Sequence, residues 1–195
     1  MSFAFESVLA AIDAANAEDP NVISVQGKTW PRAEYQGVRA THWVERLDPT
    51  PPAAVVLAAR AHHLQRWAVQ RSDFPDGRAG YHRWKRDARA AASAAIASVL
   101  GDAAVAAETI ARVGELVGRE GLGSDAGTQL VEDAACLVFL ETQYDELIDR
   151  LGEEKVAEAV RKTLRKMSPT AIAIAGEAVQ SPGGLALLQR VVSEP

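Results

Sequence analysis

Cysteine is almost absent. Cys136 is the single thiol among 195 residues, which excludes an internal disulfide framework and any zinc site built on paired thiolates. No stretch approaches the ~18 consecutive apolar residues of a membrane span, so no membrane partner is expected. The N-terminal segment MSFAFESVLAAIDAANAEDP has no basic start and carries Glu6 and Asp13, unlike a secretory leader. An excess of positive charge is lacking too: 21 Lys+Arg stand against 26 Asp+Glu, a net charge of −5. That balance disfavours nucleic acid as a generic partner. The GxxxxGK[ST] loop, the GxGxxG turn and the GxSxG elbow are all missing. These absences lead us to expect a cytoplasmic chain of one domain, long enough to bury a sizeable core.

What is present is mostly helical periodicity. Phe5, Val8, Leu9, Ile12 and Ala15 form one apolar stripe over residues 3–16, the spacing of an amphipathic helix. Residues 21–30 are short and β-prone, and predict a loop or one minor extended piece. Pro31 opens a helix to about Leu47, and Asp48-Pro49-Thr50-Pro51-Pro52 breaks the chain. The next helix, AAVVLAARAHHLQRW, begins apolar on all sides, which places it inside the bundle. Further helices are expected over 79–100, from Asp102 to Val117, over 126–151 and over 153–167. Short ones should follow Ser168-Pro169 and Ser181-Pro182. The expectation is an all-α fold of seven or eight helices in one unit, residues 1–195.

The acidic average hides a basic block. Residues 60–89 hold eight cations against Asp73, Asp76 and Asp87, so this stretch is +5 and the remainder −10. A local basic block in an acidic chain fits capture of a small anion better than wrapping a polymer. Arg66, Arg71, Arg78 and Arg86 are the expected contacts to a small phosphorylated molecule, since guanidinium groups match phosphate oxygens bidentately. Trp67, Tyr81 and Trp84 lie among them and fit either core packing or stacking on a planar ring. His82 fits a surface position or a general acid. Ala88–Ala97 is close-packing material that could also form a homodimer seam.

Four residues could converge on a metal. His42 sits late in its helix, and His62 and His63 are adjacent near the end of the central apolar helix. Asp133 shares a stripe with Leu130, Leu137, Leu140 and Tyr144, where a carboxylate needs a partner. Imidazoles with one carboxylate suit Fe, Mn, Co, Ni or Zn. Packing histidines and an Asp133–arginine pair would account for the same residues without a metal. Cys136, within AACLV, reads as packed rather than nucleophilic.

The order His42, His62-His63, Asp133 resembles the HD-domain phosphohydrolases, whose ligands run His, His-Asp, Asp on an all-α bundle. LAARAHHLQRW and EDAACLVFLE resemble the text around those ligands. That resemblance implies a metal-dependent phosphohydrolase acting on a small phosphorylated substrate such as a nucleotide, with His42, His62, His63 and Asp133 on one divalent transition metal. His63 and Asp133 would then be the catalytic pair and Glu132 the reserve ligand. His63 stands where those enzymes carry Asp, which puts a two-metal site in doubt. More closely, AARAHHLQRW, RSDFPDGRAGYHRWKRD, LVEDAACLVFLE and VRKTLRKMS resemble the family called domain of unknown function 4202, over nearly the whole chain. That family implies no reaction. The alternatives are a non-catalytic nucleotide- or RNA-binding module on an HD-like scaffold, and a mononuclear iron enzyme using oxygen. Lys166-Met167-Ser168 echoes the KMSKS signature of class I aminoacyl-tRNA synthetases, but no HIGH-type motif accompanies it, so that activity is rejected.

Overall fold

A computed structural model describes residues 2–194, with side chains from residue 5 onward. It is all-α, apart from one hairpin. In chain order the elements are α1 (Ser2–Asn16), β1 (Val22–Val25), β2 (Lys28–Pro31), α2 (Arg32–Leu47), α3 (Ala53–Arg60), α4 (Arg78–Asp102), α5 (Ala107–Gly118), α6 (Ala126–Thr142), α7 (Tyr144–Leu151), α8 (Glu153–Leu164), α9 (Pro169–Ile174) and α10 (Pro182–Ser193). One apolar core draws buried side chains from all ten helices.

The helix count exceeds the expected seven or eight, and one of the added breaks carries no Gly or Pro. The expected helix over 126–151 divides at Gln143, which stands between α6 and α7. α4 runs through Gly101 to Asp102, with Ala104 just beyond it at φ +54°, so Asp102 does not cap α5. The segment over 21–30 is a true hairpin, β1 and β2 pairing antiparallel with Val25 opposite Lys28. Its turn has φ of +51° at Gln26 and +76° at Gly27, the left-handed pair that a tight two-residue hairpin requires.

Proline and serine open the last helices as expected. Ser168 accepts from the Ala171 amide, and Ser181 accepts from the Gly184 amide, each with Pro in the first turn. α2 starts on Pro31, which has no capping side chain. Asp19 supplies the acceptor from a distance, its Oδ2 taking the Ala33 N–H at 3.0 Å.

The central helix α3 is buried from Val55 to Ala59, as its composition implies, and packs against α2, α5 and α6. It ends at Arg60, earlier than expected. Arg60 makes a paired bridge to Asp13 of α1, at 2.6 and 2.9 Å, and its carbonyl accepts from the Asn16 amide at 3.0 Å. α2 crosses α3 so closely that a Cβ on Gly37 would lie 2.4 Å from the Arg60 carbonyl oxygen. α4 packs on α5 and turns Ala88, Ala92, Ile96 and Leu100 inward, so alanine here allows close approach.

Candidate functional site

The early end of α3 sets the geometry of the histidines. His62 and His63 lie in irregular turns rather than on a helix, because Gln65 adopts a left-handed conformation, φ +51°. Their rings sit side by side, centroids 4.0 Å apart. His62 is 6% exposed, and its Nδ1 is 2.8 Å from the Ala59 carbonyl. A carbonyl only accepts, so Nδ1 carries the proton and Nε2 presents a lone pair. Among the described residues Nε2 has no hydrogen-bond partner.

His63 follows the same logic. Its Nδ1 is 2.7 Å from Gln36 Oε1, while Gln36 Nε2 donates to Thr142 Oγ1 at 3.0 Å. The amide oxygen therefore accepts, and the His63 Nε2 also carries a lone pair. Both rings are held neutral. Burial and then the Arg119 charge bring His62 down to about 3. Burial, His62 and Arg66 bring His63 well below its ordinary value.

The pair forms one wall of a cleft of about 240 Å3. Arg66 follows in the turn after α3, while α4 supplies Lys85 and Arg89. Arg119 comes from the end of α5, Glu132 and Cys136 from α6, and Lys166 from beyond α8. Five cations thus face one carboxylate in a protein that is acidic overall. Glu132 is held by Arg119 at 2.6 Å and lies 3.6 Å from the Lys166 ammonium. Burial works to raise its pKa, but Arg119, Lys166 and Arg89 together win and hold it low. The cations also crowd each other. Lys85 is pulled down by burial and then by Lys166 and Arg89; Arg89 is pulled down by burial and then by Arg119. Cys136 is buried in the wall, its thiol pushed up to about 12, so it is a packing group rather than a nucleophile.

Arg119 is the least expected member. It caps α5 with φ +64°, a left-handed conformation that costs a non-glycine residue roughly 1–2 kcal/mol. Of the four non-glycine residues with positive φ among the described residues, Arg119 lines this cleft, and Gln65 directly precedes Arg66, which also lines it. Backbone strain concentrates at sites where it positions functional groups.

The expected four-ligand metal set is not assembled. His42 is exposed and packs edge-on against Trp43, ring centroids 5.3 Å apart. Asp133 is 3% exposed, but its Oδ1 accepts from the Ser168 amide at 2.8 Å and from Gln129 at 2.9 Å. It fastens α6 to the start of α9. Among the described residues no three of His, Cys, Asp and Glu come together as metal ligands. Glu132 is near the histidines but committed to cations, and the surrounding positive charge opposes a divalent ion. The residues therefore do not fit a resident metal.

The basic block is only partly gathered. Arg66 reaches the cleft. Arg71 lines an adjoining chamber, with Nη1 donating to the Phe74 carbonyl at 2.8 Å. Arg78 is exposed beside His82, and Arg86 is exposed beside Asp87. Arg86 and His82 border a shallower hollow that shares Lys85 and Arg89 with the cleft. The residues missed from sequence are Lys85, Arg89, Arg119 and Lys166. Lys85 and Arg89 were findable, being one helical turn apart within the basic block.

Residues 6–188 match the family described as Domain of unknown function (DUF4202). The chain belongs to that family. No curated protein and no solved structure matches it, so the HD-domain resemblance gains no support. The DUF4202 match covers every residue that lines the cleft, from His62 to Lys166.

Proposed function

We propose that this protein binds a small phosphorylated molecule, with the phosphoryl group held in the cationic cleft and no metal ion required. The observation that carries this reading is the convergence of Arg66, Lys85, Arg89, Arg119 and Lys166 on two neutral imidazoles. Charge-assisted hydrogen bonds to phosphate are the strongest that such side chains make. The imidazoles add selectivity. A phosphate monoester keeps a titratable proton near pH 6, through which it can donate a hydrogen bond to the His62 Nε2 lone pair. Sulfate has no such proton to offer.

Calorimetric titration with inorganic phosphate and with sulfate, in EDTA and matched low salt, tests this. Phosphate should bind about tenfold more tightly than sulfate, as expected for one hydrogen bond to an otherwise unpaired buried group. Arg89→Gln should weaken phosphate at least tenfold, the worth of one charged hydrogen bond. Equal affinities, or an unaffected Arg89→Gln variant, would overturn the reading. Metal-dependent hydrolysis, the sequence expectation, is read in the same samples: phosphate release from a phosphomonoester that EDTA stops and a divalent ion restores would replace binding without metal.

A further inference from the structure

The cationic cleft is too small for a whole nucleotide, yet it is not isolated. A second chamber of about 640 Å3 adjoins it, and His63, Arg66 and Gln143 line both. The two spaces therefore share one wall. Their chemistry differs. The cleft gathers five cations around the imidazole lone pairs, whereas the larger chamber, lined also by Arg32 and Arg71, brings together Trp67 and Trp84, two of the chain's four tryptophans. The Trp84 indole is fixed, its Nε1 donating to the Val69 carbonyl at 2.9 Å. The Arg66 guanidinium stands over that ring, 5.0 Å from its centroid, and so links the aromatic chamber to the phosphate cleft. Asn21 and Gln70 add amide groups to the lining, which can read the edge of a planar ring.

We propose that one molecule occupies both chambers: a nucleoside 5′-monophosphate, its phosphate in the cationic cleft and its base against Trp67 and Trp84. This rests on the phosphate reading above. It adds the class of the organic group and the direction in which the ligand lies. The base stacks on indole, a sequence-tolerant contact because every base has a π-face. The shared wall of His63 and Arg66 lies beside the sugar–phosphate junction.

The test compares AMP, GMP, CMP and UMP with ribose 5-phosphate by calorimetry and by quenching of tryptophan fluorescence. At least one nucleotide should bind roughly tenfold or more above ribose 5-phosphate, the scale of one base–aromatic stack. That nucleotide should quench tryptophan emission where ribose 5-phosphate does not. Trp67→Ala should remove the advantage and leave inorganic phosphate affinity unchanged, which also shows that the variant is folded. Should Trp67→Ala fail to fold, Trp67→Phe replaces it and should keep most of the advantage, with the wild-type quenching as the independent readout. Ribose 5-phosphate binding as tightly as all four nucleotides would overturn this inference and leave the phosphate reading standing. Failure of every phosphate to bind would overturn both.

Discussion

Arg119 holds Glu132 at 2.6 Å, Nε to Oε2, and the two side chains are only 8% and 7% exposed. This pair makes Glu132 the counter-charge of the cleft: it neutralises part of the cation cluster and keeps Arg119 extended toward the histidines. A buried pair of this kind is weak evidence for stability, since desolvation offsets much of the attraction. Its removal is another matter.

Glu132→Gln keeps the shape of the side chain and deletes its charge. Breaking a buried pair leaves the guanidinium uncompensated, so stability should fall by about 3 kcal/mol. Phosphate affinity should move the opposite way, tightening by roughly tenfold as the one competing anion is lost. Urea unfolding and calorimetry on the same variant read both effects. A Glu132 that contacts the ligand directly through a proton or a metal would instead weaken binding when changed to Gln, and that outcome would refute its role as counter-charge.

Gly37→Ala tests the support behind His63. Gly37 follows Gln36, whose amide fixes the His63 ring, and its missing side chain lets α2 lie on the end of α3. The added Cβ would meet the Arg60 carbonyl at 2.4 Å, a backbone atom with no rotamer to change. Overpacking of this kind costs about 1–3 kcal/mol. Thermal unfolding should show it as a fall in Tm of roughly 3–10 °C for a chain of this size. An unchanged Tm would refute the close α2–α3 crossing as the reason for glycine at this position.

Much of the fold is legible in the sequence. The stripes in α1, α5 and α8 and the Ser-Pro starts of α9 and α10 follow from periodicity and capping alone. The helix ends that escape are those that lack glycine or proline: Gln65 after α3, Ala104 after α4 and Gln143 between α6 and α7. At the site, the importance of His62 and His63 is readable from an apolar helix carrying two imidazoles. The choice between Glu132 and Asp133 is not. Neighbouring helical residues differ by about 100°, which turns Glu132 into the cleft and Asp133 toward Ser168. Arg119 and Lys166 are separated from the basic block by dozens of residues, and only tertiary packing joins them to it.

The neutral histidines make stability depend on pH in a window where few other groups titrate. His62 ionises at about 3 in the folded chain against 6.5 when free, and His63 shifts in the same direction. Above pH 6.5 both rings are neutral, folded or unfolded, and contribute nothing to the pH slope. Below it the unfolded chain takes up protons first, so stability falls as pH falls toward the folded pKa. The slope approaches about 1.4 kcal/mol per pH unit for each ring. Between pH 6.5 and 5 His62 alone should account for about 1.5 kcal/mol. The carboxylates held low by partners, Glu132 and Asp125 among them, add their loss mainly below pH 5. Urea unfolding in phosphate-free buffer should therefore show stability dropping across this interval, and His62→Gln should flatten the drop. An identical slope in the variant would show that His62 is not held neutral, and would remove the lone pair on which discrimination of phosphate from sulfate depends.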